Sequence, residues 1–214
     1  MPKTAMAHVD TWVFDLDNTL YPPGAGLFDQ IEVLMTEFVM EALGLDRNRA
    51  DQLRHYYWQH YGTTLAGLMR EHDVDPGPYL THVHDISLAS LSVDTALAEA
   101  ITALPGRKIV YTNGPRIHAE RVVAARGLAG CFDALYGIEE ANFLPKPERA
   151  AFEIVFEQDG LTPSRAAMFE DDHRNLKEPH QMGMACVLVA DDAMEAEHIH
   201  HHTADIGAFL SQLR

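Results

Sequence analysis

The sequence predicts an α/β chain: a doubly wound parallel sheet with a small helical segment inserted after the first strand. From residue 107 onward, short apolar runs alternate with segments of helical period, the pattern that builds a parallel sheet. The runs are β-branched and aromatic with little polar alternation, as strands covered on both faces are. Between the first run and residue 91 the pattern is helical without strands. Periodicity leaves two forms of this segment open, a separate insertion or a continuous helical layer on the sheet.

In chain order, residues 11–16 read as the first strand, and Tyr21-Pro22-Pro23-Gly24-Ala25-Gly26 breaks it. Phe28, Ile31, Leu34, Met35, Phe38 and Val39 then recur at three-four spacing. Residues 50–61 and 64–71 read as helices with Gly62 between them, Pro76-Gly77-Pro78 as a turn, and 95–104 as a further helix. A strand at 107–112 leads to a helix at 115–126, for which Gly127 suits the C-terminal cap. A strand at 134–138 precedes a helix at 147–158, and Thr162-Pro163-Ser164 turns into a strand ending at Glu170. A helix at 175–182 tolerates Pro179 near its first turn and is followed by Gly183, a strand at 184–189 and a closing helix at 204–213. His198, His200, His201 and His202 lack the spacing of a metal set and read as a surface turn. Arg54-His55-Tyr56-Tyr57-Trp58-Gln59-His60-Tyr61 mixes rings at helical spacing, which suits an inserted core with a ring left over to stack on a base.

A formal net charge of −16 argues against nucleic acid or an anionic membrane surface as partner. It also repels anionic substrates, so a site for one needs a local cation; with a screening length of about 8 Å such a cation prevails at short range. Cys131 and Cys186 sit in apolar, strand-like contexts and read as buried free thiols of a reducing compartment. No secretory apolar stretch and no run near the roughly 20 residues of a membrane span is present, so a cytoplasmic protein is expected.

Four features carry chemistry. Asp15 and Asp17 close the first apolar run, and two nearby acids raise one another's pKa unless a cation stands between them. Thr112-Asn113-Gly114 ends a second run with a hydroxyl and exposed amides. Lys146 is delivered from a stiff loop between Pro145 and Pro147. Glu170-Asp171-Asp172 ends a third run with three consecutive acids. Each alone reads as readily as an ordinary turn or solvated loop. In a parallel sheet, however, all such ends lie on one edge, where ligands bind. Together they describe a phosphate site with a divalent ion.

The order and spacing of these four features resemble the haloacid dehalogenase-like hydrolases. The first motif of that family, DxDxT, appears as Asp15-Leu16-Asp17-Asn18-Thr19; Thr112, Lys146 and the Glu170-Asp171-Asp172 run match the second, third and fourth. The resemblance covers essentially the whole chain and implies a Rossmann-like catalytic core at residues 1–20 and 91–214 with a helical cap at 21–90. It implies that Asp15 is the nucleophile and Asp17 the general acid/base. Thr112, the amide of Asn113 and Lys146 would hold the transferring oxygens, with Leu16 among the substrate-binding positions. Mg²⁺ would be held by Asp15, the carbonyl of Asp17 and Asp171, with Asp172 behind them or acting through water. One departure is Glu170, where other members carry an apolar or small residue.

The opening Asp15-Leu16-Asp17-Asn18-Thr19-Leu20-Tyr21-Pro22-Pro23, the stretch Tyr61-Gly62-Thr63-Thr64-Leu65-Ala66-Gly67-Leu68 and the run Asp171-Asp172-His173-Arg174-Asn175-Leu176 are similar to the pyrimidine 5′-nucleotidase branch. That likeness implies a Mg²⁺-dependent phosphomonoesterase acting on UMP- and CMP-like nucleotides. The alternative within the family is a phosphatase for a small sugar phosphate or phosphoglycolate. A dehalogenase is disfavoured because Asp17 is present. A signalling receiver domain is disfavoured by the length and the helical insertion. A non-catalytic relative is expected to lose one of Asp15, Asp17, Lys146 or Asp171, and all four are here. Oligomeric state stays open.

Overall fold

The computed structural model describes residues 2–213. After a short N-terminal turn of helix, α1 (Pro2–Ala5), the chain enters β1 (Thr11–Phe14). Four helices follow without a strand: α2 (Leu27–Leu43), α3 (Arg47–Tyr61), α4 (Thr64–His72) and α5 (Pro76–Val83). Then come α6 (Thr95–Thr102), β2 (Arg107–Tyr111), α7 (Arg116–Ala125), β3 (Ala134–Tyr136) and α8 (Arg149–Asp159). The chain closes with β4 (Ala166–Glu170), α9 (Lys177–Gln181), β5 (Ala185–Val189), β6 (His201–Thr203) and α10 (Ile206–Ser211).

The strands form one parallel sheet in the order β3-β2-β1-β4-β5-β6. Successive residues of each central strand enter two different cores. Trp12, Phe14, Val110, Ala167 and Phe169 pack on one face, and Val13, Ile109, Tyr111, Ala166 and Met168 on the other. This is why the strands lack polar alternation: both faces are covered. Leu97 and Ile101 of α6, Val122 of α7 and Phe209 of α10 cover the first face, while Phe152 and Phe156 of α8 cover the second. Phe14 stacks on Phe169 across β1 and β4, with ring centroids 4.9 Å apart. The strand order reverses its direction of growth between these two strands, and a crevice opens there at their C-terminal ends.

Helices α2 to α5 pack on one another, and their caps are local. Asp46 accepts from the Arg49 amide, Thr63 from Ala66 and Asp75 from Gly77. Gly67 lies against Tyr57, where any Cβ would overlap the ring, so the α3–α4 contact requires glycine.

Several elements differ from the sequence reading. The first strand ends at Phe14, two residues early, because the chain turns through Asn18 at φ 61°. Pro76-Gly77-Pro78 opens a helix: Asp75 caps it and Pro76 occupies its first turn, where a missing N–H costs nothing. The predicted helix at 175–182 begins as a 3₁₀ turn, His173–Leu176, and the strand predicted at 134–138 stops at Tyr136. Cys131 lies in a turn, and Cys186 in β5; both are free and buried. Of the histidine-rich stretch, His198 and His200 lie in a turn and bend as expected, whereas His201 and His202 belong to the edge strand β6, in register with β5 from Val187↔His201 to Val189↔Thr203. His202 Nε2 and the Ala190 carbonyl lie 2.8 Å apart, and the His200 ring accepts from the Cys186 amide. Among the described residues no helix is long and apolar enough to cross a membrane.

Candidate active site at the carboxyl edge of the sheet

A cavity of about 760 Å³ opens over the ends of β1, β2 and β4, roofed by α2, α3 and α5. Asp15, Asp17, Thr112, Asn113, Lys146, Glu170, Asp171 and Asp172 all line it. Four separate stretches of chain thus meet because their strands are neighbours in one parallel sheet.

Asp15 follows β1 directly, and its amide still donates to the Phe169 carbonyl as if the strand continued. The chain then folds back: the amides of Thr19 and Leu20 both donate to the Leu16 carbonyl. Leu16 is consequently buried, and the two aspartates part. Asp15 turns to Lys146, whose ammonium lies 2.7 Å from Oδ1, and Oδ2 accepts from the Thr19 hydroxyl at 3.1 Å. Asp17 turns the other way, with Oδ1 accepting from Tyr21 Oη at 2.6 Å and lying 2.9 Å from His118 Nε2.

Lys146 is 1% exposed and carries three bonds, to Asp15, to the Tyr111 carbonyl at 3.1 Å and to Glu170 Oε2 at 2.6 Å. An ammonium has three donors, so all are in use. A phosphate oxygen must displace one of them, and the lysine as it stands acts through its charge. Asn113 holds the lysine's backbone on both sides: its carboxamide accepts from the Lys146 amide at 2.8 Å and donates to the Lys146 carbonyl at 3.1 Å. The Asn113 side chain therefore builds the loop, leaving only its backbone amide for a ligand. Thr112 accepts from the Gly114 amide at 3.0 Å, and its own O–H is left to donate.

Glu170, the departure noted in the sequence, is the partner of Lys146; its other oxygen accepts from the Asp172 amide. Asp171 reaches the Asn18 carboxamide at 3.4 Å. Asp172 does not join the acid cluster: both its oxygens are taken by the Arg174 guanidinium, and Oδ1 also caps the following 3₁₀ turn. Arg174 in turn lies 3.7 Å over the Trp58 ring and donates to the Trp58 carbonyl.

Asp15, Glu170 and Asp171 each bring a carboxylate oxygen within 4.8 Å of the others. Three carboxylates face one ammonium, and burial with mutual repulsion pushes all three up. Asp15 and Asp171 rise to about 7, chiefly through desolvation, and Glu170 to about 8 for the same reason with Asp171 beside it. Burial alone would lower Lys146, but Asp15 and Glu170 more than reverse that. Asp17 behaves oppositely: burial would raise it, yet His118 and Tyr21 hold it below the usual carboxylate range. An oxygen-only donor set with excess negative charge suits a hard divalent ion such as Mg²⁺.

A stability prediction follows from these shifts. The folded protein, without a divalent ion, keeps protons on Asp15, Asp171 and Glu170 at pH values where the unfolded chain has released them. Their contribution is complete below the ordinary carboxylate pKa and is lost as pH rises through about 7 to 8. His84, which burial lowers to about 4, contributes in the opposite sense, but mostly below its ordinary value of 6.5. Between about pH 7 and 8.5 the Tm of chelator-treated protein should therefore fall, and saturating Mg²⁺ should flatten the slope. A Tm rising over that range without metal would contradict the carboxylate assignment.

Sequence reasoning missed Tyr21, His118, Arg174 and His84. A signal for His118 was present, a histidine on the buried face of α7 beside Ala119 and Val122. Of the rings in the 54–61 stretch, His55 and Trp58 line the cavity. Tyr57 is buried within the helices against His72, Tyr56 faces a separate shallow depression, and Tyr61 donates to Glu71. Phe28, His55 and Tyr79 line it with Trp58.

The sequence model described as haloacid dehalogenase-like hydrolase matches residues 9–183. Phosphate metabolism protein 8 of Saccharomyces cerevisiae is 31% identical over 204 residues, covering 87% of this chain; the chain spans 64% of that protein's length. Among solved structures, a HAD phosphatase from Thermococcus onnurineus superposes with TM-score 0.62 at 16% identity, covering 96% of each chain. The HAD hydrolase YfnB of Bacillus subtilis, solved with bound magnesium, gives TM-score 0.59 at 14% identity over 96% of this chain and 98% of its own. At these identities the two structures speak for the fold alone.

Proposed function

The chain belongs to the haloacid dehalogenase-like hydrolases, and on that premise we propose that it is a Mg²⁺-dependent phosphomonoesterase acting on nucleoside 5′-monophosphates of the pyrimidine type. The carrying observation is the meeting of Asp15, Lys146, Thr112 and Asp171 at one cavity, with Asp17 present as a second acid turned away from Lys146. A hydrolase attacking carbon has no use for that second acid. A phosphatase expelling an alkoxide does.

In this reading Asp15 attacks phosphorus, the P–O bond to the alcohol breaks, and an aspartyl-phosphate forms. Asp17, ionised in the resting site, receives a proton as the substrate monoanion binds and gives it to the leaving oxygen. It then takes one from the water that attacks the aspartyl-phosphate and releases inorganic phosphate. The Thr112 hydroxyl and the backbone amides of Asn113 and Leu16 meet the transferring oxygens, where charge is redistributed in the transition state. Lys146 counters part of the burial that raises Asp15, Mg²⁺ would favour its ionised form further, and the lysine offsets the charge that the phosphate brings. Asp15, the Asp17 carbonyl and Asp171 would hold Mg²⁺, which would neutralise charge on the phosphoryl oxygens. Asp172 serves behind this set by fixing Arg174.

Residues 21–90 form the cap. The core portion of the site meets only phosphate, so discrimination falls to the roof, where Phe28, Ile31, Met35 and Trp58 supply apolar walls beside Arg54 and Glu32. A cap so placed also excludes water from the acyl phosphate. The test is a phosphate-release screen across nucleoside monophosphates, phosphoglycolate and a hexose phosphate, with and without Mg²⁺. UMP and CMP should exceed AMP and GMP at least about tenfold in kcat/KM, which needs only about 1.4 kcal/mol of differential binding. Purines matching pyrimidines, or a small sugar phosphate exceeding both, would refute the nucleotide assignment and leave the phosphatase.

A further inference from the structure

We infer that His118 is the positioning residue for Asp17: together with Tyr21 it fixes one carboxylate oxygen so that the other is presented to the leaving group. The inference rests on the phosphomonoesterase reading and adds to it a residue outside the four motifs.

His118 is completely buried on α7, among Ala119, Val122 and Val123. An imidazole in such a place is costly unless it makes a bond that the fold uses. Its one hydrogen bond runs from Nε2 to Asp17 Oδ1, 2.9 Å away, and Nδ1 is buried with no partner among the described residues. A carboxylate only accepts, so the proton of this bond sits on Nε2. Tyr21 Oη donates to the same Oδ1 at 2.6 Å. Two donors converging on one oxygen leave Oδ2 as the atom available to the cavity that Asp17 lines.

The imidazole is itself held. The His84 ring, from the C-terminal end of α5, lies 4.7 Å from it, and His84 Nδ1 donates to the Leu80 carbonyl. Gly114 sits against both rings. A Cβ there would come within 3.3 Å of His118 and of His84, and 3.5 Å from the Thr112 hydroxyl. The glycine of the Thr112-Asn113-Gly114 turn thus lets the two histidines close behind Asp17. A proton donor misplaced by about 1 Å loses on the order of 10²-fold in rate, so fixing Asp17 has a measurable effect.

The test compares wild type, Asp17→Asn, His118→Phe and His118→Gln on two substrates: the best alkyl phosphate of the screen and p-nitrophenyl phosphate, whose leaving group needs little protonation. Phe keeps the ring and removes the donor; Gln places an amide N–H close to where Nε2 stood. His118→Phe should lower kcat on the alkyl phosphate roughly 10- to 100-fold with little change in KM. It should cost the aryl phosphate several times less, the same discrimination that Asp17→Asn shows, and His118→Gln should restore most of the loss. If His118→Phe does not fold by circular dichroism, His118→Asn, too short to reach Asp17, takes its place against His118→Gln. Equal losses on both substrates, or a Gln variant no better than Phe or Asn, overturns the positioning role while a discriminating Asp17→Asn keeps the phosphatase reading. A wild type silent on both substrates overturns that reading, and this role with it.

Discussion

Asp15→Asn should abolish phosphate release while leaving the fold intact. The amide neither attacks phosphorus nor offers a charged oxygen to a divalent ion. Removing a nucleophile from a cooperating set costs on the order of 10⁴- to 10⁶-fold. The structural side of this prediction is as specific as the kinetic one. Asp15 is one of three clustered carboxylates, itself and Glu170 buried, beside a single ammonium, and its pKa is already pushed up to about 7 by burial and by Glu170. Replacing it with a neutral group relieves repulsion, and Lys146 keeps Glu170 as partner. The Tm without metal should therefore be unchanged or higher, and the Tm gain on adding Mg²⁺ should shrink. In the wild type, borohydride added during turnover should reduce the acyl phosphate and convert Asp15 to homoserine, detectable by mass spectrometry. Retained turnover in the variant, or modification elsewhere, would remove Asp15 from the role.

Lys146→Met should damage stability and activity together. The lysine is 1% exposed, as is Glu170, and Asp15 is nearly as buried. Taking the cation from a buried ion pair strands its partners, typically costing about 3–5 kcal/mol. For a chain of this size that corresponds to a Tm drop of roughly 6–20 °C. Turnover should fall about 10²- to 10³-fold, the scale of losing one preorganised charge at a transition state. Saturating Mg²⁺ should recover part of the lost Tm, since it places positive charge beside the same carboxylates, but not the turnover. Lys146→Arg should rescue neither, because the three acceptors converge on one point at Nζ and fit an ammonium, not a planar guanidinium fork. A stability loss below about 1 kcal/mol would mean that Asp15 and Glu170 do not depend on this lysine for their charge.

The sheet and the convergence of the motifs were legible in the sequence for one reason. Covering both faces of a parallel strand demands short, wholly apolar runs, and Thr11–Phe14, Arg107–Tyr111 and Ala166–Glu170 show that signature in their inner residues. Once the strands are parallel, whatever follows each run lies on the same edge. Asp15, Thr112, Lys146 and Asp171 could thus be brought together before any contact was known. Helices α2, α3 and α4 were legible too, because a three-four apolar period is a property of one segment by itself, whereas α5 was read as a turn at its prolines.

What escaped the sequence depends on contacts between segments distant in the chain. Pairing in register made an edge strand of His201–Thr203, although its residues carry no strand pattern. The directions in which Asp15 and Asp17 point were set by a turn at Asn18 and by partners 131 and 101 residues away. Asp172 reads like a metal ligand in sequence, yet Arg174, two residues on, claims it and carries it toward Trp58. Glu170 looked like an extra acid and proved to be the second anchor of Lys146. Local sequence thus determined which backbone elements form, because hydrophobic period and turn chemistry act over a few residues. Only the tertiary structure decided which carboxylate faces a cation, which faces a histidine and which rings roof the cavity. Hydrogen bonds and Coulombic pairing act over a few ångströms of space, whatever the separation along the chain.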